Sequence, residues 1–237
     1  MTQSIIALGR LIKKKHFVLG MENWLRDARV VELLGYAGFD FLHIENEHVG
    51  RNWNEVENMI RTAELMGMAS LYRTEQCFDG EPPVNEIIKA VKLGAQIIMV
   101  PQVSTPEAAR KAASAIRLPP RGKRGIATCD RSMKEIYPTP ETPLDIDVYC
   151  KESNDEVMLW CIIETPEGVK NIDAILAVDG VDAVGFGHSE NCVHRFCARS
   201  VFAAKRPVLR PGRHDLHDRQ RHSAWRNSRG KRPYGRL

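Results

Sequence analysis

Ionisable side chains cluster early in the chain, where an apolar run turns abruptly polar. The run Phe39–Leu42 leads directly into the letters HIENEH at 43–48. Packing does not explain several ionisable groups at such a point, because buried charges require partners. A carboxylate three residues before a histidine, as in Glu45 and His48, can orient an imidazole that transfers protons. A solvated loop is the other interpretation of this segment.

A single arginine ends a later run of the same kind. Arg73 follows Ser70-Leu71-Tyr72, and its fork of N–H donors suits a carboxylate or a developing oxyanion. A structural ion pair would use the same residue type. We therefore treat Arg73 as a candidate for binding substrate.

Two carboxylates follow the last two apolar runs. Glu164 comes directly after Cys161–Ile163, and Glu190 comes shortly after the glycines of Gly185–Gly187. A carboxylate at the end of such a run needs compensation, either from a divalent cation or from the start of a following helix. Two carboxylates at neighbouring strand ends can hold Mg²⁺ or Mn²⁺ and still leave positions for water and substrate.

These residues must be positioned by the elements around them, and the pattern alternates β-like runs with helical ones. The predicted strands are His16–Met21, Phe39–Ile44, Met68–Tyr72, Ala95–Val100, Val157–Ile163 and Ala183–Phe186. The predicted helices are Leu25–Leu34, Trp53–Met66, Val84–Leu93, Thr105–Ile116 and Pro166–Leu176, and a long loop is predicted over about 118–156. This alternation predicts an α/β fold of the (β/α)₈ TIM-barrel type, incomplete, with about six βα units. An open doubly wound sheet is the alternative, but the first predicted strand is not followed by a GxGxxG loop.

The charge distribution divides the chain into two parts. Residues 191–237 contain 13 Lys and Arg against 2 Asp and Glu, whereas residues 1–190 contain 21 against 28. We therefore predict a partial barrel domain over 1–190 and a basic tail over 191–237 that is either disordered or unrelated to the barrel, for example through a shifted reading frame.

Composition places the chain among cytoplasmic proteins. No apolar run approaches the ~20 residues of a membrane span, and the N-terminal stretch does not have the order of a signal peptide. The six cysteines form no CxxC pair, which is typical of isolated thiols in a reducing compartment. We expect neither a membrane partner nor a nucleic-acid partner, except through the basic tail.

Several separated segments, in the same order, resemble the HpcH/HpaI aldolases, which are metal-dependent pyruvate aldolases. The resemblance runs from about Gly20 to Gly187 and is carried by five stretches besides the Arg73 strand end. They are AGFDFLHIENEH, GAQIIMVPQV, PPRGKRG, IIETPEGVKNIDAIL and VDGVDAVGFG.

The resemblance implies roles for individual residues. His48 falls at the catalytic histidine, Glu45 at the acidic residue that pairs with it, and Arg73 at the arginine that binds substrate and enolate. Glu164 and Glu190 fall at the two metal ligands. The remaining substrate-binding candidates are Gly187, His188 and Ser189. The implied cofactor is a divalent cation, Mg²⁺, Mn²⁺ or Co²⁺, and a homo-oligomer is compatible with the resemblance.

The implied function is that of a class II aldolase, a carbon–carbon lyase. Such an enzyme cleaves or forms 4-hydroxy-2-oxo acids, giving pyruvate or a related 2-oxo acid plus an aldehyde. A citramalyl- or malyl-type lyase and a non-enzymatic partial barrel with an anion-binding tail are the alternatives. Glu45 and Glu190 replace shorter Asp residues of the family, and the last two strands are not recognisable. We therefore expect the activity of this chain to be impaired.

Overall fold

A computed structural model describes residues 18–127, 130–132 and 145–187, together with the backbone of a short strand at 203–204. The strands are β1 (Gly20–Asn23), β2 (Phe41–Glu45), β3 (Ala69–Arg73), β4 (Ile97–Val100), β5 (Met158–Ile163), β6 (Ala183–Phe186) and β7 (Ala203–Ala204). The helices are α1 (Ala28–Tyr36), α2 (Trp53–Leu65), α3 (Val84–Lys92), α4 (Pro106–Ile116), α5 (Ile146–Glu156), α6 (Pro166–Lys170) and α7 (Ile172–Ala177). Among the described residues, no helix has both the length and the apolar character needed to cross a bilayer.

The described strands form one sheet in the order β1-β2-β3-β4-β5-β6-β7. Strands β1 to β6 are all parallel, and each pairs with the next in sequence. This is the strand order of a (β/α) barrel, and six parallel strands make an open part of one. The prediction of an incomplete TIM-type barrel is confirmed, and the doubly wound alternative is wrong because consecutive strands are neighbours throughout.

Alternate side chains of each strand enter two different apolar layers, as the pleat requires. One layer lies between the sheet and the helices and contains Leu42, Tyr72 and Ile98. The other lies on the opposite face and contains Leu71, Ile97, Met99 and Ile162 among its buried members. The strands read as nearly continuous apolar runs because both faces are covered.

Local signals set the start of several helices. The Asn52 side chain accepts from the backbone N–H of Glu55, and the Glu55 side chain accepts in return from the N–H of Asn52, forming a capping box. The side chains of Thr105 and Thr165 accept from the N–H groups of Ala108 and Gly168 at the starts of α4 and α6, and a proline follows each threonine. The predicted helix starts at Trp53 and Pro166 are thus confirmed.

Three helical predictions differ from the structure. Helix α1 continues through Gly35 to Tyr36. The glycine is explained by close packing against the residue that follows α2, since a Cβ at this position would lie 2.5 Å from Cβ of Met66. Helix α5 occupies the end of the predicted long loop, capped by the Asp145 side chain. The predicted helix over 166–176 divides at Asn171, whose side-chain amide donates to the Ser104 carbonyl at 2.8 Å.

The C-terminal part of the chain is described only at β7. This strand pairs antiparallel with β6, so the chain departs from the parallel order at that point. Contacts within the chain separate a unit Met1–Arg206 from a unit Pro207–Leu237, and the second lies outside the described residues. The predicted boundary at residue 190 therefore stays a prediction.

Candidate active site

The candidate site lies where parallel strands reach their carboxyl ends, which is where barrels of this kind place their chemistry. Glu45 is the last residue of β2, Arg73 is the last residue of β3, and the two are partners in the β-ladder. The fully buried Glu45 carboxylate lies 3.3 Å from Nη1 of Arg73. The Nη2 atom of Arg73 forms an ion pair with Glu47. One guanidinium therefore joins two carboxylates.

The second oxygen of Glu45 binds the backbone. Its Oε1 accepts a hydrogen bond from the N–H of His48 at 3.0 Å, which closes the turn after β2. The imidazole of His48 instead has Glu47 as its carboxylate neighbour, with Nε2 of His48 3.5 Å from Oε2 of Glu47. Glu45 was expected to orient this imidazole; its Oε1 holds the backbone N–H of His48, and its role towards the ring stays a prediction.

Glu47 is the residue that sequence reasoning missed, although it was visible in the HIENEH run. Burial raises the pKa of Glu47, the positive charge of Arg73 opposes that rise, and the negative charge of Glu164 adds to it. This electrostatic effect indicates that the carboxylates of Glu47, on the turn after β2, and Glu164, after β5, lie near one another. The sequence signal for Glu47 was its position directly before His48. It lies on the turn after β2, not on the strand itself.

His43 lies two residues before Glu45 on β2, and its imidazole is neutral at neutral pH. Burial is the main cause that lowers the pKa of His43 to about 4, and the charge of Arg73 also lowers it, whereas Glu45 opposes the shift. Its Nε2 lies 3.7 Å from Oε2 of Glu45, beyond hydrogen-bond range. We therefore assign His43 to the support of the site.

Glu164 follows β5 and is almost fully buried. Its Oε2 accepts from the backbone N–H of Gln102 at 3.1 Å. Gln102 has a φ of +56°, in the left-handed region that non-glycine residues rarely adopt. A Cβ on Gly187 would overlap with Oε1 of Glu164. Gln102 and Gly187 thus form a tight cradle for this carboxylate.

Oxygen and nitrogen ligands are available for a cation in this region. Within the described residues, ligand atoms of Glu45, Glu47 and His48 lie within 4.8 Å of one another, and those of Glu22, His43 and Glu45 form a second such group. His188, Ser189 and Glu190 lie outside the described residues, so their predicted roles in binding substrate and metal stay predictions.

The basic loop at 121–125 has a structural environment. Arg124 is fully buried, with Nε donating to the Ile116 carbonyl at 3.2 Å and Nη2 to Oγ of Ser153 at 2.5 Å. Arg121 forms an ion pair with Asp155 at 3.0 Å. These contacts connect the loop to α4 and α5.

An arginine-linked array of His48 with two glutamates, next to a cradled third glutamate, agrees with the similarity of the chain to known proteins. Residues 24–195 match the family model described as HpcH/HpaI aldolase/citrate lyase. The chain is 33% identical over 177 residues to a 2-dehydro-3,6-dideoxy-6-sulfogluconate aldolase of Pseudomonas putida, which covers 75% of this chain and 64% of the relative. It is 31% identical over 175 residues to a hydroxypyruvate/pyruvate aldolase of Deinococcus radiodurans, covering 73% and 58% respectively.

Solved structures agree with this result. The HpcH/HpaI aldolase of Desulfitobacterium hafniense superposes with a TM-score of 0.66 at 28% identity, covering 78% of this chain and 66% of that one. The citrate synthase SbnG superposes with a TM-score of 0.64 at 27% identity, covering 78% and 66%. The chain spans roughly two thirds or less of the length of these proteins. It belongs to the HpcH/HpaI aldolase/citrate lyase family.

Proposed function

We propose that this chain has the active site of a class II pyruvate aldolase, a carbon–carbon lyase that cleaves or forms 4-hydroxy-2-oxo acids. The products of cleavage would be pyruvate, or a related 2-oxo acid, and an aldehyde. The observation that carries the proposal is the convergence of Arg73, Glu45, Glu47, His48 and Glu164 at the carboxyl ends of three strands.

Arg73 is suited to the anionic oxygen of an enolate. Its guanidinium is held by Glu45 and Glu47, and its buried Nε has no hydrogen-bond acceptor within the described residues. A buried donor without an acceptor is costly, and a substrate oxyanion would remove that cost. Because the two glutamates hold the guanidinium in place, little rearrangement is needed when the charge develops.

His48 is the group that moves a proton at the substrate hydroxyl. Its side chain is half-exposed, so a substrate can reach it, and Glu47 lies beside its Nε2. The Glu45 carboxylate accepts a hydrogen bond from the backbone N–H of His48. Proton transfer by an imidazole of this kind contributes roughly 10² to 10⁴ in rate. Within the described residues, no lysine occupies a strand end at this site, so the proposal does not use a Schiff base.

The carboxylates fit a divalent cation such as Mg²⁺, Mn²⁺ or Co²⁺. Glu164 in its cradle and the predicted ligand Glu190 would hold it. The negative charge of Glu164 raises the pKa of Glu47, after the larger effect of burial, and a bound cation would relieve that repulsion. When bound, such an ion supplies Lewis-acid stabilisation of the enolate of a 2-oxo acid.

A malyl- or citramalyl-type lyase is the second candidate. The description of the family model includes citrate lyase, and one of the similar solved structures is a citrate synthase. The same arginine, together with a cation held by the carboxylates, would stabilise the enolate of a thioester as well as that of a ketone. Pyruvate aldolase is preferred because the curated relatives described above are aldolases at 31–33% identity.

The test uses the purified full chain with Mn²⁺. We expect the chain to bind Mn²⁺ in calorimetry, to exchange the C3 protons of pyruvate with D₂O, and to release pyruvate from 4-hydroxy-2-oxo acids. EDTA should abolish both reactions. Glu164→Gln should reduce Mn²⁺ binding. Arg73→Met should retain Mn²⁺ binding but lower the rate of pyruvate proton exchange about 10²-fold.

Three results would decide against the aldolase. A wild-type chain that neither binds Mn²⁺ nor exchanges pyruvate protons lacks the proposed function. Cleavage of malyl or citramalyl thioesters to an acetyl thioester and a 2-oxo acid, without exchange of the C3 protons of pyruvate, would favour the second candidate. Activity that survives EDTA would remove the cation from the proposal.

A further inference from the structure

The indole of Trp24 covers one face of the His48 imidazole. The two ring centroids are 6.1 Å apart and the planes differ by 25°, which is within the range of stacked aromatic pairs. Trp24 is 53% exposed and the His48 side chain 51% exposed. An exposed histidine would ordinarily exchange among its rotamers, so a flat aromatic surface beside it restricts the orientations open to the ring.

The backbone on both sides of Trp24 is fixed. The Asn23 side chain accepts from the N–H of Leu25 and donates to the Leu25 carbonyl, both at 3.0 Å. Arg51 donates to the carbonyls of Asn23 at 2.7 Å and of Leu25 at 2.9 Å. Trp24 therefore projects from a rigid turn, although its ring is exposed to solvent.

Glu22 is next to the Trp24 side chain. Burial raises the pKa of Glu22, and its interaction with the Trp24 side chain opposes that rise. Oε2 of Glu47 lies 3.5 Å from Nε2 of His48.

We propose that Trp24 is a positioning residue that holds the His48 imidazole, against Glu47, in the orientation for proton transfer. This inference rests on the function proposed above. The ring of Trp24 acts through His48 and is not itself a catalytic residue. Because Trp24 lies at the surface, its replacement should alter the imidazole without unfolding the protein.

The contact has a spectroscopic signature that is independent of catalysis. We expect the ring current of Trp24 to shift the Hε1 resonance of His48 upfield, with His48→Gln identifying that resonance. Trp24→Leu should abolish the shift, and Trp24→Phe should keep part of it. Leu25→Ala is the matched control, since Leu25 is equally exposed and uses only its backbone in these contacts.

The kinetic readout separates positioning from binding. In metal-dependent cleavage of a 4-hydroxy-2-oxo acid, we expect Trp24→Leu to lower kcat about tenfold with KM nearly unchanged, as for a misoriented catalytic group. Trp24→Phe should recover most of kcat, and Leu25→Ala should match the wild type.

Three outcomes would overturn this proposal or the function on which it rests. Cleavage without the ring-current shift in the wild type overturns the proposal for Trp24 alone. A shift that disappears in Trp24→Leu while kcat stays at the wild-type value also overturns it. A shift in a chain that neither binds Mn²⁺ nor cleaves substrate overturns the proposed function and, with it, the catalytic meaning of the contact.

Discussion

Two carboxylates separated by one residue have different environments at the end of β2. Glu45 is fully buried, with its oxygens occupied by Arg73 and by the N–H of His48. Glu47 is also largely buried, and burial together with the charge of Glu164 raises its pKa while Arg73 opposes the rise. The Glu45 carboxylate is therefore held at both oxygens, whereas burial and a neighbouring negative charge both disfavour the ionised form of Glu47.

The cradle of Glu164 leads to a prediction at Gly187. We expect Gly187→Ala to weaken Mn²⁺ binding about tenfold or more, because the added Cβ would overlap with Oε1 of Glu164 and displace a ligand by the order of an ångström. Calorimetric titration with Mn²⁺ measures the effect. Gly125→Ala is the control, since a Cβ there meets nothing within 4 Å. Equal affinities in the two variants would contradict the prediction.

The neutral state of His43 gives a pH dependence. Its folded pKa is about 4 against an ordinary 6.5, so the unfolded chain takes up the proton first as the pH falls. The contribution of His43 to the free energy of unfolding is complete above pH 6.5 and decreases towards pH 4, by about 3 kcal/mol at most. Urea midpoints at pH 7 and pH 4.5 measure the loss, and His43→Leu should lose less. A parallel decline in both proteins would show that other groups cause it.

At this scale, the sequence identified the types of residue but not all their partners. The abrupt polarity after β2, β3 and β5 was sufficient to select Glu45, His48, Arg73 and Glu164. Which glutamate contacts the imidazole depends on how the turn at 46–50 reverses the chain, and residue spacing does not determine this. Glu47 was therefore overlooked, and Glu45 was expected to be the carboxylate that pairs with the imidazole.

Among the elements, the turn after β2 is attached to β1 by Arg51. This buried side chain donates to the carbonyls of Asn23, Leu25 and Glu45, at 2.7, 2.9 and 3.0 Å. The Asn46 side chain accepts from the N–H of Arg51 at 2.6 Å. One residue thus holds the ends of two strands and the turn that bears His48.

Replacement of Arg51 should be severe. We expect Arg51→Met to lower the free energy of unfolding by about 3 kcal/mol or more, because the buried hydrogen bonds to the carbonyls of Asn23 and Glu45 and the part-buried one to Leu25 would be lost. Arg26→Met is the matched comparison: Arg26 also contacts this turn, at the carbonyls of Val49 and Gly50, but it is exposed and should cost about 1 kcal/mol or less. Equal losses in urea denaturation would refute the assignment.

Periodicity and caps predicted most of the elements, and their failures have local causes. Strand β6 was predicted with its observed bounds, and the start of α2 with its cap at Asn52. Gly35 looked like a helix end, but close packing on Met66 explains the glycine without ending the helix. Helix α5 was missed because its sequence is mostly polar and only Tyr149 and Asn154 are buried.

At the scale of the molecule, the candidate site is formed by residues at the ends of the strands. A ligand bound there should therefore stabilise the folded sheet as well. At 100 times its dissociation constant, Mn²⁺ should add about 3 kcal/mol to the free energy of unfolding. Thermal denaturation with and without Mn²⁺ measures this effect, and Glu164→Gln should show little of it. A rise in melting temperature that is equal in both proteins would place the ion elsewhere.

The parallel strand order followed from strict alternation of apolar runs with helical patterns, and the family model extends to residue 195, slightly beyond the predicted boundary. The antiparallel pairing of β7 with β6 was not predicted, because the sequence near 203–204 has neither an alternating pattern nor a turn signal. Two residues are too few for periodicity to reveal.

The double engagement of Glu45 has a consequence for the order of events during turnover. Under the proposed function, a 2-oxo acid bound at Arg73 would lie beside a His48 turn that the same carboxylate already holds. The donor and the proton-transferring ring would thus be aligned before any acceptor enters. We expect donor and acceptor to bind in sequence, with the 2-oxo acid first and the aldehyde second.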